Sequence, residues 1–194
     1  MKKLAGSILL LMLIASTLPA QKPAITVPLR FDQYYTLDQV YEALKALNKA
    51  YPQLTTLETV GTSEEGRPIM AMTVNNAKTG AALDKPGMYV DGNMHGNEIQ
   101  GGDISLYLLD YLLGGYGKNP EMTRLVDKTC FYVVPVVNAD GRFHFMTDAN
   151  DPSGNRSLRI PVDDDKDGLI DEDPPDDLDG DGNICTMRKK DPFG

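Results

Sequence analysis

Apolar positions along the chain change their spacing several times, and each change marks an element. Leu37, Val40, Tyr41, Leu44 and Leu47 recur every three or four residues behind Thr36, with Gln39 three places after it. The segment reads as a helix opened by a capping box and ended at Tyr51-Pro52. Residues 54–60 and 69–74 then read as strands, and the Ser-Glu-Glu-Gly-Arg-Pro run between them suits a hairpin. Residues 88–90 are a short apolar strand, Gly92 and Gly96 permit an irregular turn, and Ile104, Leu108, Tyr111 and Leu112 repeat at helical spacing, so a helix starts near Gly102. Gly114-Gly115-Tyr116-Gly117 stops it, and residues 120–126 make a short helix. Residues 130–137 form a nearly continuous apolar run, as a strand covered on both faces requires. Strands alternating with helices predict an α/β domain: a mixed central sheet with flanking helices and the early hairpin at one edge.

The amino terminus adds a location. Lys2 and Lys3 precede an apolar run at 4–14, small residues and a Pro19-Ala20 step, the pattern of a secretory leader at 1–20. The run is too short to span a bilayer, so the expected product is exported, secreted or periplasmic, with no membrane segment after cleavage. Residues 21–194 suit one domain. The net charge of −9 is local: of the 28 Asp and Glu, 11 lie between 163 and 181, leaving 17 against 18 of the 19 Lys and Arg. A nearly neutral body excludes a general nucleic-acid surface. Cys130 opens an apolar strand and reads as a buried small hydrophobe, while Cys185 follows the acidic segment; nothing in the sequence shows that the two meet.

Chemistry concentrates in the run from Tyr89 to Glu98. His95 and Glu98 stand three residues apart where a strand ends and a helix begins. A carboxylate there lies near the positive end of the helix, which favours the ionised form a metal needs. Zinc takes imidazole nitrogen and carboxylate oxygen, and a catalytic site pairs three such ligands with a water. The plain alternative is a solvated polar turn. The Asn138-Ala139-Asp140-Gly141 turn falls, like His95, after a strand, where function in such sheets gathers.

These segments, in their order along the chain, resemble the zinc carboxypeptidase family of the carboxypeptidase A and T type. Tyr35-Thr36-Leu37, Tyr51-Pro52, Gly61-Thr62-Ser63 with Gly66-Arg67-Pro68-Ile69, the Gly92-to-Glu98 motif and the Pro135-to-Gly141 turn carry the resemblance, which covers roughly residues 31–145. Ala139 stands where the family usually has Pro. The resemblance implies a zinc held by two His and one Glu, a water that attacks the last peptide bond of a substrate chain, a Glu that takes its proton, an oxyanion Arg and an Asn-Arg pair for the terminal carboxylate. It assigns His95 and Glu98 as zinc ligands and Arg156 or Arg159 as the oxyanion Arg, with a surface Arg beside the acidic segment as the alternative for either. The family's remaining ligand, general base and carboxylate-binding pair have no match here; His144 follows Glu98 too closely to be the second His. The expectation is the amino-terminal part of an enzyme, inactive by itself, with the apolar run at 131–137 exposed and prone to aggregation.

The acidic segment at 163–184 has its own pattern. Asp163, Asp165, Asp167 and Gly168, then Asp177, Asp179, Asp181 and Gly182, give two DxDxDG runs, with Asp171 between them. Alternate carboxylates followed by Gly are what a calcium loop uses, although neither run ends on the closing Glu of an EF-hand. Calcium is therefore a second expected cofactor, against a solvated acidic loop. Three functions are consistent with these residues: an exported zinc metallocarboxypeptidase acting on peptide or protein C-termini, a zinc amidohydrolase that cleaves acylated amino acids, and a non-catalytic extracellular calcium-binding module.

Overall fold

The computed structural model describes residues 25–147, 166–168 and 179–183. The expected leader at 1–20 lies outside them. Helix α1 (Leu37–Ala50) leads into strands β1 (Thr55–Thr62) and β2 (Pro68–Val74), followed by β3 (Gly87–Asp91), α2 (Ile99–Gly115), α3 (Pro120–Lys128), β4 (Cys130–Val134) and α4 (Ala139–Thr147). The four strands form one mixed sheet in the order β1-β2-β4-β3. β1 and β2 are an antiparallel hairpin at one edge, β2 pairs antiparallel with β4, and β3 pairs parallel with β4 through the α2–α3 crossover.

Local sequence accounts for α1 completely. The Thr36 hydroxyl accepts from the Gln39 N–H, and the Gln39 side chain accepts from the Thr36 N–H. These bonds satisfy two of the donors that a helix leaves unpaired at its start. Leu37, Val40, Ala43, Leu44 and Leu47 are buried, and α1 packs on α2 and β1.

Helix α2 differs from its sequence reading in face and start. It begins at Ile99, and the side chains it buries include Leu106, Leu109, Leu112 and Leu113; Ile104 and Tyr111 are exposed. The helix is apolar nearly all round, so a row at helical spacing shows that a helix exists without choosing its inner face. The outer row is aromatic: Tyr107 stacks on Tyr111 and takes Phe31 edge-on, with ring centroids 6.0 Å and 5.3 Å apart.

Two further corrections concern β4. The strand ends at Val134, because Pro135 has no N–H to continue the ladder. The apolar run at 131–137 is not exposed: Phe131 and Val133 on β4 and Val136 just after it lie in the core, and β4 is an inner strand paired on both sides. Among the described residues, the open edge beside β4 is β3, where Met88 and Tyr89 are 51% and 63% exposed. Cys130 is a buried free thiol, and Cys185 lies outside the described residues. No helix among the described residues is long and apolar enough to cross a membrane.

Candidate metal centre

Because β3 and β4 run parallel, their carboxyl ends lie together, and the loops that follow them join. The Gly92 N–H donates to the Val134 carbonyl (3.1 Å), the Val137 N–H to that of Gly92 (3.1 Å) and the Asn138 N–H to that of Asn93 (3.0 Å). Two glycine contacts compress the loop at 92–98. A Cβ on Gly92 would lie 2.4 Å from the Gly101 carbonyl oxygen in α2, and one on Gly96 would lie 2.7 Å from the Gly141 backbone in α4. Asn93 holds the left-handed conformation (φ 53°), which Asn adopts more readily than most residues.

His95 and Glu98 come out of this loop side by side. His95 Nδ1 and Glu98 Oε2 are 2.8 Å apart, and the side chains are 36% and 60% exposed. The Glu98 N–H donates to the His95 carbonyl (3.1 Å), closing the turn that presents both on one side. Glu98 occupies the N-cap of α2 without capping it by its side chain, so the carboxylate is free to face His95 at the positive end of the helix. An imidazole and a carboxylate already in contact, and open to solvent, fit two positions of a zinc site. Among the described residues, no third His, Cys, Asp or Glu joins them.

His144 is on α4 and is not part of this pair. Its Nε2 lies 2.8 Å from Glu65 Oε1, in a cluster that ties the hairpin turn to α4. Arg67 donates to Glu65 and Asp140 (both 2.6 Å), Ser63 donates to Asp140 (2.7 Å), and the Arg67 guanidinium stacks 3.9 Å above the Phe143 ring. Burial pushes the Asp140 carboxyl up, but hydrogen bonds from Ser63, Arg67 and the Glu65 N–H outweigh it and hold the group below its ordinary value. Hydrogen bonds from Arg67 and then His144 lower Glu65 likewise.

Sequence reasoning missed α4 and its Arg142. Helix α4 carries no apolar stripe to announce it. Asn138 Oδ1 accepts from the Gly141 N–H (2.7 Å) at its start, the one local signal of a capped turn. Arg156, Arg159, Asp163, Asp165, Asp171 and Asp177 lie outside the described residues. Asp167, Asp179 and Asp181 are exposed, and Gly168, Gly180 and Gly182 have φ of 97°, 72° and 84°. Asp181 Oδ1 accepts from the Asn183 N–H (2.8 Å), a turn geometry that an acidic loop forms with or without a cation.

Residues 40–162 match the zinc carboxypeptidase family. The chain belongs to that family. Carboxypeptidase M of Mus musculus is 32% identical over 109 residues, 56% of this chain and 25% of that protein. Carboxypeptidase D of Homo sapiens is 34% identical over 110 residues, 57% of this chain and 8% of that protein. An inactive metallocarboxypeptidase of Saccharomyces cerevisiae is 31% identical over 111 residues, 57% of this chain and 26% of that protein. Among solved structures, thrombin-activatable fibrinolysis inhibitor superposes with a TM-score of 0.58 at 25% identity, over 71% of this chain and 32% of that one. Carboxypeptidase A from Helicoverpa armigera gives 0.55 at 25% identity, over 61% and 28%. The zinc carboxypeptidase match accounts for the mixed sheet and includes the whole loop at 92–98, while the chain spans about a quarter or less of these curated relatives.

Proposed function

We propose that the protein is an exported zinc metallocarboxypeptidase that hydrolyses C-terminal peptide bonds, with residues 1–20 as its leader and 21–194 as the amino-terminal part of its catalytic domain. The observation that carries this reading is the His95–Glu98 contact, at the joined carboxyl ends of two parallel strands inside the family match. His95 and Glu98 are the zinc ligands from this part of the chain. When bound, zinc supplies electrophilic polarisation and an acidified water. A third ligand, a general base, a carboxylate-binding pair and an oxyanion Arg, for which Arg156 and Arg159 are the candidates, complete the requirement for peptide hydrolysis. The acidic segment at 163–184 is proposed as a calcium-stabilised insert. Identical limited proteolysis there with calcium and with chelator would reject that role.

Zinc content and hydrolysis of blocked dipeptides, measured together on the full-length protein and its His95→Ala and Glu98→Ala variants, test the main reading. Both quantities should fall together, because each side chain supplies a bond to the metal. Full zinc occupancy in His95→Ala sinks the assignment. Hydrolysis of acylated amino acids in preference to dipeptides would instead select an amidohydrolase. A second reading, a family member without hydrolytic activity, is favoured by one observation: a matched yeast relative is named inactive. Zinc binding without turnover on either substrate class is its signature.

A further inference from the structure

Behind the His95–Glu98 pair lies a buried charge that the proposed function does not use. The Arg142 side chain is fully enclosed and donates through every N–H it has. Nε donates to the Tyr35 carbonyl (3.2 Å), Nη1 to Asn93 Oδ1 (2.9 Å) and the Ile99 carbonyl (2.8 Å), and Nη2 to Asp103 Oδ2 (2.8 Å) and again to the Tyr35 carbonyl. One side chain on α4 thus joins the entry to α1, the loop after β3 and the first turn of α2. Space is reserved for it: a Cβ on Gly102 would lie 2.7 Å from Nη1.

The bond to Asn93 has a directional consequence. A guanidinium accepts no hydrogen bond, so the Asn93 amide must face it with Oδ1. Nδ2 is thereby turned the other way, onto the carbonyls of His95 (2.7 Å) and Gly96 (3.2 Å). Asn93 is buried and its amide is bonded at both ends, to Arg142 through Oδ1 and to the two carbonyls through Nδ2, which fixes its orientation. We infer that Arg142 is a positioning residue: through the orientation of Asn93 it sets the main-chain path of residues 92–98, and so the place of His95 and Glu98. The link to metal rests on the proposed zinc role of that pair. A lysine cannot substitute, because a compact ammonium with three donors cannot reach four partners in one plane.

The test uses the full-length protein with Arg142→Lys and Asn93→Asp. Aspartate keeps an acceptor for Arg142 but donates nothing to His95 or Gly96. Amide hydrogen exchange is followed on metal-stripped protein, and zinc affinity is measured by competition with a chromophoric chelator well below each melting temperature. Both variants should exchange faster across 92–98 with β2 and β4 unchanged, and bind zinc about 10- to 100-fold more weakly, the usual effect of losing support behind a ligand. Asn93→Asp should do so beyond anything seen in a variant destabilised elsewhere to a similar degree, such as Asn76→Ala at the other end of β3, a result that a purely structural role for Arg142 does not give. Unchanged exchange at 92–98 in Asn93→Asp overturns the inference, and that variant decides by itself if Arg142→Lys fails to fold. Zinc bound by His95→Ala as tightly as by the wild type overturns the zinc assignment and the metal half of the inference, while exchange in stripped protein still judges whether Arg142 sets the loop.

Discussion

Polar clusters flank β3 at both ends, and they are built on opposite plans. Before the strand, Lys85 Nζ donates to Asn75 Oδ1 (2.7 Å), the Asn76 carbonyl (2.8 Å) and Thr79 Oγ1 (2.9 Å). Asn76 Nδ2 donates to the Tyr116 hydroxyl (2.8 Å) and to Asp127 Oδ1 (2.7 Å), which also accepts from Tyr116 (3.0 Å). The Asn76 amide, outweighing burial, holds Asp127 below the ordinary carboxylate value. This cluster closes on itself and ties a loop to two helices. After the strand, the inner layer of Arg142, Asn93 and Asp103 is just as closed, but it backs an outer pair, His95 and Glu98, that touches through one atom of each and faces solvent. A closed cluster stabilises. A binding site also needs side chains with bonding capacity left over, and a closed layer behind them to keep them in place.

Removing the inner layer should cost most. Arg142→Met leaves Asp103 charged and mostly enclosed opposite an apolar side chain and strips the donors from Asn93 and from the Tyr35 and Ile99 carbonyls, and the expected loss is about 3–5 kcal/mol of unfolding free energy, read from the denaturant midpoint. A loss under about 1 kcal/mol would mean that the two ends of β3 do not differ in this way. Gly96→Ala comes next, because its Cβ would meet the Gly141 backbone at 2.7 Å. Overpacking of that kind costs about 1–3 kcal/mol, and zinc affinity should fall with stability because the loop must shift. At the other end, Asn76→Ala should cost about 1 kcal/mol and leave zinc affinity unchanged. A change in zinc affinity there would erase the distinction between the closed cluster and the site.

Acid provides a graded version of the same test. Asp140 and Glu65 are held below their ordinary values of 3.8 and 4.5, so their contribution is complete above those values and is lost as pH falls through the lowered ones. The melting temperature of the wild type should therefore drop more steeply in that acid range than that of Asp140→Asn; parallel curves would show that the Ser63–Arg67–Asp140 contacts add nothing. The smallest effect on stability is expected from Glu98→Gln, within about 0.5 kcal/mol because the side chain is exposed. The same variant should lose zinc. Large destabilisation without loss of metal would make Glu98 a structural cap rather than a ligand.

Short-range rules decided what could be read along the chain. The capping box and apolar row of α1, the hairpin, the short strand before His95 and the three-residue spacing of His95 and Glu98 depend on neighbours within a turn or two, so the residues themselves determine them. The glycines at 92 and 96 were legible as a turn, but that each is pressed against another glycine backbone, at Gly101 and Gly141, required the fold. Tertiary structure alone chose the inner face of α2, whose apolar residues surround it, and made β4 rather than β3 the inner strand. It alone created the setting of Arg142, whose partners stand 39 to 107 residues away and cost too much to desolvate unless all of them arrive together. The His95–Glu98 pair is a local property of the sequence; the layer behind it is a property of the assembled fold.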